Sequence, residues 1–300
     1  MKTQNLRLGI ILMSLTSFIF SIQDGISRHL AGEYNPYLVV MFRFWFLALF
    51  ATALALRSPA GFAATVRTQK PVIQIVRGVI LAGEISVMMF AFVALGLVES
   101  HAVFACYPLL VAALSGPVLG ERVGWRRWAA SGFGAVGVMI VLQPGDGVFS
   151  PLAIVPFVSA LMFAFYGLLT RYVGRTDAAS ASFFWTGIVG AVVMTPLGLL
   201  HWQAMTPADA GWMLLLCCFS AAAHWTMIRA FEVAEASAIQ PFAYLQLVFI
   251  SILGIGVFSE TLRANVAIGA CIIVAAGIFT LWRERARKVA PAPTGPSALL

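Results

Sequence analysis

Runs of about 20 apolar residues, broken by short clusters of Lys and Arg, recur along nearly the whole chain, and a run of that length is what a helix needs to cross the hydrocarbon layer of a bilayer. Ten such runs are predicted, near residues 8–29, 37–56, 72–94, 101–119, 127–142, 152–170, 181–200, 209–231, 237–258 and 264–282. With 61% of its 300 residues hydrophobic and only 10% charged, the chain has too little polar sequence left over for a soluble catalytic domain, which argues against chemistry such as ATP hydrolysis. The expected fold class is therefore all-α integral membrane. The first run follows Lys2 and Arg7 and lacks a clean small-residue cleavage site, so it is read as a retained helix and not as a signal peptide.

The net charge of +7 would point to nucleic acid only if the basic residues shared a face. They lie instead between the apolar runs. If the N-terminus is cytoplasmic, roughly 15 Lys and Arg fall in connectors on that side, from Lys2 and Arg7 to Arg283, Arg285, Arg287 and Lys288, and only Arg28 and Arg263 fall on the other. An even number of spans with both termini cytoplasmic follows. Residues 286–300 have no periodicity and are expected to form a disordered cytoplasmic tail. Cys106, Cys217, Cys218 and Cys271 all sit in apolar runs without the spacing of a zinc or disulfide framework, so packing is their expected role and no metal or cofactor is expected.

The chain also repeats itself. Ala94, Glu99, Ser100 and Ala102 recur as Ala230, Glu235, Ser237 and Ala238; Glu121 and Arg122 after the fourth run recur as Glu260 and Arg263 after the ninth; Ser17, Gly25 and Phe42 recur as Ser159, Gly167 and Phe184. Five spans per half is an odd number, so the second half enters the membrane from the opposite side, which predicts two inverted-topology five-helix repeats, residues 1–145 and 146–285, and alternating access between them.

With Arg77-Gly78, the Ala94–Ala102 stretch, Tyr107-Pro108, Gly120-Glu121-Arg122 and then Gly132, Gly134 and Gly137, the chain resembles the drug/metabolite transporter superfamily in its ten-helix form with two EamA-type repeats, over roughly residues 5–285. The second half keeps Pro241, Tyr244 and Glu260 but has no Gly before that Glu. The resemblance implies a multi-pass protein of the bacterial inner membrane, similar to exporters of amino acids, aromatic ones included, and related metabolites. The expected partners are such a small amphipathic substrate and the bilayer, with no nucleic acid and a monomeric state. Two alternatives stay open: export of cationic aromatic drugs, and a membrane-embedded lipid-modifying enzyme. Against the enzyme, the chain has no Walker-type glycine loop, no His-Glu-x-x-His pair and no nucleophile elbow.

An ionisable side chain within a span costs roughly 2.5–3.5 kcal/mol at the helix centre, so each one needs a partner, a watery cavity or a function. Glu84 and His224 lie near the middle of the third and eighth spans and are the expected binders of a substrate ammonium or a coupling proton. Met88, Tyr107, Tyr166, Trp185, Trp225, Tyr244 and Gln246 are candidate cavity walls and hydrogen-bonding groups beside Ser17, Ser21, Ser159 and Phe163. Asp24 and Arg28, four apart on one helix face, are expected to pair, with Arg43 at similar depth, as a gate latch. Arg77 reads as a snorkelling anchor, and Glu121 with Arg122 and Glu260 with Arg263 as ties between helix ends. Pro108 and Pro241 each remove a backbone donor within the membrane and mark the fourth and ninth spans as gating elements.

Overall fold

The computed structural model describes residues 5–120, 152 and 154–261, together with individual positions between 125 and 140 and between 263 and 278. Among the described residues the secondary structure is entirely helical: α1 Leu6–Glu33, α2 Pro36–Leu56, α3 Phe62–Val66, α4 Pro71–Leu95, α5 Leu97–Phe104, α6 Tyr107–Leu119, α7 Ile154–Val173, α8 Ala179–Leu200, α9 Pro207–Val233, α10 Ala236–Ile239, a 3₁₀ turn Gln240–Tyr244, and α11 Leu245–Phe258. Six of these helices, α1, α2, α4, α7, α8 and α9, are long and apolar enough to cross a membrane. The predicted spans at 127–142 and 264–282 fall only in part on described residues, and Glu121, Arg122 and the 286–300 tail lie outside them.

Local chemistry accounts for where these helices begin and end. The Asn5 side chain accepts from the Leu8 amide at 3.1 Å, Asn35 accepts from Tyr37 at 2.9 Å, and Thr206 accepts from Asp209 at 3.2 Å, each satisfying a donor left free in a first helical turn. Gly96, at φ 84°, breaks the chain between α4 and α5 in a conformation that disfavours a side chain. Prolines open α2, α4, α6, α9 and the 3₁₀ turn. Pro108 and Pro241 are thus first-turn residues, where a missing N–H forfeits no helical bond, and the discontinuities precede them. Pro117 is the proline inside α6, and the axis bends by 46° between Leu97–Val111 and Ala113–Leu119.

The main packing partners are remote in sequence: α1 lies on α9, α4 on α7, and α2 on α8. The last pair approaches closely through glycine. A Cβ at Gly187 would stand 2.9 Å from the backbone N and Cα of Ala48, and one at Gly190 would stand 2.1 Å from the Phe44 ring. One continuous apolar cluster runs through α1, α2, α4–α9 and α11.

Polar groups tie the bundle together at both ends. At one end, Arg77 is fully buried; its Nε donates to Thr170 at 3.1 Å, its Nη1 to the Ser182 carbonyl at 2.9 Å and to Gln74, and its Nη2 to the Tyr166 hydroxyl at 3.2 Å. This replaces the snorkelling expected from sequence: α7 and α8 supply acceptors whose hydrogen bonds offset the cost of taking the guanidinium out of water. Gln74 donates to Asp177 at 3.0 Å, and Asp177 also accepts from the Gln69 amide at 3.1 Å and from Thr68. Burial opposes the Asp177 charge, but hydrogen bonds from Thr68, Gln69, Gln74 and Thr176 outweigh it and hold its carboxyl below the usual aspartate range. At the other end, Glu260 pairs with Arg28 at 2.8 Å and accepts from the Leu97 and Val98 amides at 2.9 and 2.8 Å, so it caps α5. Arg263 pairs with Glu99 at 3.2 Å and not with Glu260.

Gly187→Val should separate α2 from α8 and destabilise the protein by about 1–3 kcal/mol, read as a lowered thermal midpoint in detergent. Because the Asp177 carboxyl is depressed when folded, its stabilisation is present at neutral pH and lost as pH falls through that depressed value. Asp177→Asn should therefore lower the midpoint at neutral pH and flatten its decline in acid.

Candidate functional site

A small cavity of about 40 Å³, room for a few water molecules and not for a metabolite as it stands, lies at the centre of the bundle. Each half of the chain contributes walls. From α1 come Phe20, Gln23 and Asp24; from α2, Arg43; from α4, Glu84, Ile85, Met88, Met89 and Phe92; from α5, His101 and Phe104; and Phe163, His224 and Gln246 come from α7, α9 and α11. Its polar groups are shut away from solvent: Asp24 is 9% exposed, Arg43 and Glu84 4% each, and His224 2%.

These groups differ in how fully they are satisfied. Asp24 accepts from the side-chain amides of Gln23 at 2.9 Å and Gln246 at 3.0 Å, and faces His101 Nε2 at 3.1 Å. The Glu84 carboxyl accepts from the Ser159 hydroxyl at 2.7 Å. Arg43 donates from Nε and Nη2 to a single neutral oxygen, Ser220 Oγ, at 3.3 and 3.2 Å, leaving most of its five N–H groups uncommitted among the described residues. Both ring nitrogens of His224 are buried without a hydrogen-bond partner, while Phe20 and Tyr166 meet the ring edge-on at centroid distances of 5.3 and 6.3 Å. Asp24 and Glu84 lie within electrostatic reach of Arg43. The cavity therefore offers a guanidinium with spare donors, two carboxyl groups, an unengaged imidazole and walls of Phe and Met. That set suits a small solute carrying both a carboxylate and a cation beside an apolar portion.

Of the residues singled out from sequence, Asp24, Arg43, Glu84, Met88, His224 and Gln246 meet in this cavity. Tyr107, Pro108 and Tyr244 line a still smaller cleft of about 10 Å³ beside it, which shares His101, Phe104 and Gln246 with the cavity. Tyr166 stands under His224 with its hydroxyl bonded to Arg77. Trp185 lies elsewhere, its indole N–H donating to the Val66 carbonyl at 3.0 Å, and Trp225 packs against Phe183 with ring centroids 5.3 Å apart. Pro241 is in the 3₁₀ turn that precedes α11.

The expected Asp24–Arg28 pair is not formed. Arg28 turns to Glu260 and the Phe92 carbonyl, and Asp24 turns inward to His101 and Gln246. Helical spacing permitted the pairing, but better-placed partners took each side chain: His101 on α5 and Gln246 on α11 for Asp24, and Glu260 beyond α11 and the Phe92 carbonyl on α4 for Arg28. His101 was missed because it stands at the head of the fourth predicted span, where a histidine reads as interfacial. The signal that could have found it was Asp24 itself, a carboxylate in mid-span that needs a partner.

The sequence profile of the EamA-like transporter family matches the chain twice, over residues 7–143 and 151–282. An S-adenosylmethionine uptake transporter of Rickettsia bellii is 25% identical over 285 residues, covering 95% of this chain and 96% of that relative. A riboflavin transporter of Vibrio cholerae is 31% identical over 185 residues, covering 59% and 60%. A solved crystal structure shares the fold at a TM-score of 0.71 with 17% identity, over 92% of this chain and 98% of that one. With two family matches spanning most of the sequence, and with spanning helices packed around a closed polar cavity, the chain is a multi-pass membrane transporter that belongs to the EamA-like transporter family.

Proposed function

We propose that this protein carries small amino-acid-bearing metabolites across a bacterial plasma membrane by alternating access of two inverted five-helix repeats, residues 1–145 and 146–285, with both termini cytoplasmic. The observation that carries the reading is the cavity's set of unequally satisfied groups. Arg43 has donors to spare for a substrate carboxylate, Asp24 and Glu84 face a substrate cation, and the Phe and Met walls take an apolar portion. Two carboxyl groups against one guanidinium favour a zwitterion with an additional positive charge over a neutral solute. S-adenosylmethionine, named in the Rickettsia relatives, is such a molecule, while riboflavin is not. A reading as a carrier of cationic aromatic drugs uses the same carboxyl groups and rings, but it leaves the buried Arg43 guanidinium facing a like charge.

Alternating access draws support from the way the packing maps onto itself when the halves are exchanged. The pair α1 with α9 becomes α7 with α4, and α2 with α8 returns to itself. Arg28 donates to the Phe92 carbonyl at 3.3 Å, and its counterpart Arg171 donates to the Phe231 carbonyl at 2.9 Å. The Glu260 cap ties α11 of one half to α1 and α5 of the other, so opening at that end requires its release. Export was expected from sequence and uptake stands in the relatives' names. A carrier that alternates between two faces runs in either direction according to the gradient.

Purified protein in liposomes, challenged with labelled phenylalanine, lysine, S-adenosylmethionine and riboflavin at equal and unequal pH, should take up an amino-acid-bearing compound in a time-dependent way. Arg43→Gln should slow that uptake about tenfold or more, since a charge-assisted hydrogen bond contributes roughly 1.5–3 kcal/mol. Uptake of riboflavin alone would overturn the substrate class, and no uptake of any compound would overturn the transport reading for this panel. Glu260→Gln should loosen the latch, so that a cysteine placed at Met88 is labelled faster by an impermeant maleimide from the side on which Glu260 lies; an unchanged rate removes Glu260 from gating.

A further inference from the structure

We propose that Asp24 and His101 together form a proton-binding site in the wall of the cavity, holding one shared proton when the cavity is shut, and that this proton and a cationic group of the substrate compete for the Asp24 carboxylate. The first part stands on hydrogen-bond geometry alone. The second rests on the transport reading above.

His101 Nδ1 lies 3.0 Å from the Leu97 carbonyl oxygen, which can only accept, so Nδ1 carries a hydrogen. A neutral imidazole with its proton there presents a lone pair at Nε2. Yet Nε2 lies 3.1 Å from Asp24 Oδ2, and an ionised carboxylate also presents only lone pairs. Two lone pairs facing each other across 3.1 Å, in a pair that is 3% and 9% exposed, repel each other, and the Gln246 amide nitrogen, 3.0 Å from Asp24 Oδ2 but 3.5 Å from His101 Nε2, bridges them only weakly. One further proton on that line turns the repulsion into a charge-assisted hydrogen bond, whether the pair is written as imidazolium and carboxylate or as imidazole and carboxylic acid.

The surroundings fit a proton held in this way. Phe92 stacks on the His101 ring with centroids 5.2 Å apart and planes inclined by 13°, an aromatic face presented to a cationic ring. Asp24 keeps two amide donors, from Gln23 and Gln246, whichever form it takes. The other titratable groups around the pair are Arg28 on α1, already bound to Glu260, Arg43 on α2, Glu84 on α4, Glu99 on α5, paired with Arg263, Cys106 and Tyr107 at the start of α6, Tyr166 on α7, beside His224, Tyr244 in the 3₁₀ turn and His224 on α9; α7 also brings Ser159 and α11 brings Gln246. Proton coupling was expected at Glu84 or His224. Glu84 is engaged by the Ser159 hydroxyl and His224 has no partner, so neither is in a pair that has to share a proton.

Competition follows because Asp24 forms part of the cavity wall. A buried carboxylate needs a cationic or hydrogen-bonding partner at every stage. In the shut cavity His101 supplies that partner. When a substrate ammonium reaches Asp24, the shared proton becomes redundant and leaves to the aqueous side on which the cavity opens.

The test uses full-length protein in lipid vesicles near neutral pH, with isotope-labelled histidine ring nitrogens read by magnetic resonance and carboxyl groups read by infrared difference spectroscopy. One of the chain's 4 histidines should show both ring nitrogens protonated and lose that signal in His101→Gln, or a protonated-carboxyl band should be present and vanish in Asp24→Asn. His101→Asn supplies the same assignment should His101→Gln not fold. Finding neither signature overturns the site. For competition, the apparent affinity for labelled lysine, or for whichever amino-acid-bearing compound of the panel is taken up, should tighten by up to about tenfold per pH unit as protons are withdrawn, and His101→Gln should abolish that slope. A slope retained in His101→Gln overturns the competition. Absence of uptake of every compound removes the transport reading and, with it, the competition, while the spectra still decide the proton site.

Discussion

A charge inside a bilayer has no water to fall back on, so every ionisable group within these helices has to find its partner in the protein, and the arrangement of the bundle follows those partners. Arg77 finds Thr170, Ser182 and Tyr166 on helices of the other half, and Glu260 finds Arg28 together with the free amides at the start of α5. These contacts sit at opposite ends of the same bundle and join first-half to second-half helices. They are strong where desolvated, yet each depends on one geometry, which suits groups that must hold one arrangement and release in another.

Between those ends lies a cavity whose groups are not all satisfied. Asp24 is saturated with donors and Glu84 has Ser159, whereas Arg43 rests on one hydroxyl and His224 on nothing. A protein tolerates buried polar groups with unused capacity where a ligand completes them. Aromatic and Met walls around such groups recognise an amphipathic solute by shape and place its charged end. Asp24 lines this cavity and is also the carboxyl that His101 faces, so the proposed recognition and the proposed proton site share a single side chain.

Much of the bundle was legible in the sequence. The spans read from apolar runs fall within a few residues of α1, α2, α4, α7, α8 and α9, because the length of a spanning helix is dictated by bilayer thickness and its ends by residues such as Asn35, Pro71 and Thr206. The proline positions were legible too, but their meaning was not: in an apolar run, a proline that starts a helix looks the same as one that kinks it. Asp24, Arg43, Glu84 and His224 stood out as charged or titratable residues in hydrocarbon, and they meet. Trp185 and Trp225 stood out for the same reason of type and lie elsewhere, since an aromatic ring packs equally well against a neighbour or a cavity.

Taken by itself, the sequence determined that this chain crosses a membrane many times, in which order the apolar segments follow and which few polar residues they carry, because the cost of hydrocarbon burial acts residue by residue. Only the tertiary structure decided who pairs with whom. Asp24 passed over Arg28 four residues away for His101 and Gln246, and Arg28 reached Glu260 far along the chain. Pairing depends on how helices distant in sequence cross, as where Gly187 lets α8 settle against Ala48 on α2. A hydrogen bond then goes to the partner that is nearest in space and correctly aimed, a property that spacing along one helix does not contain.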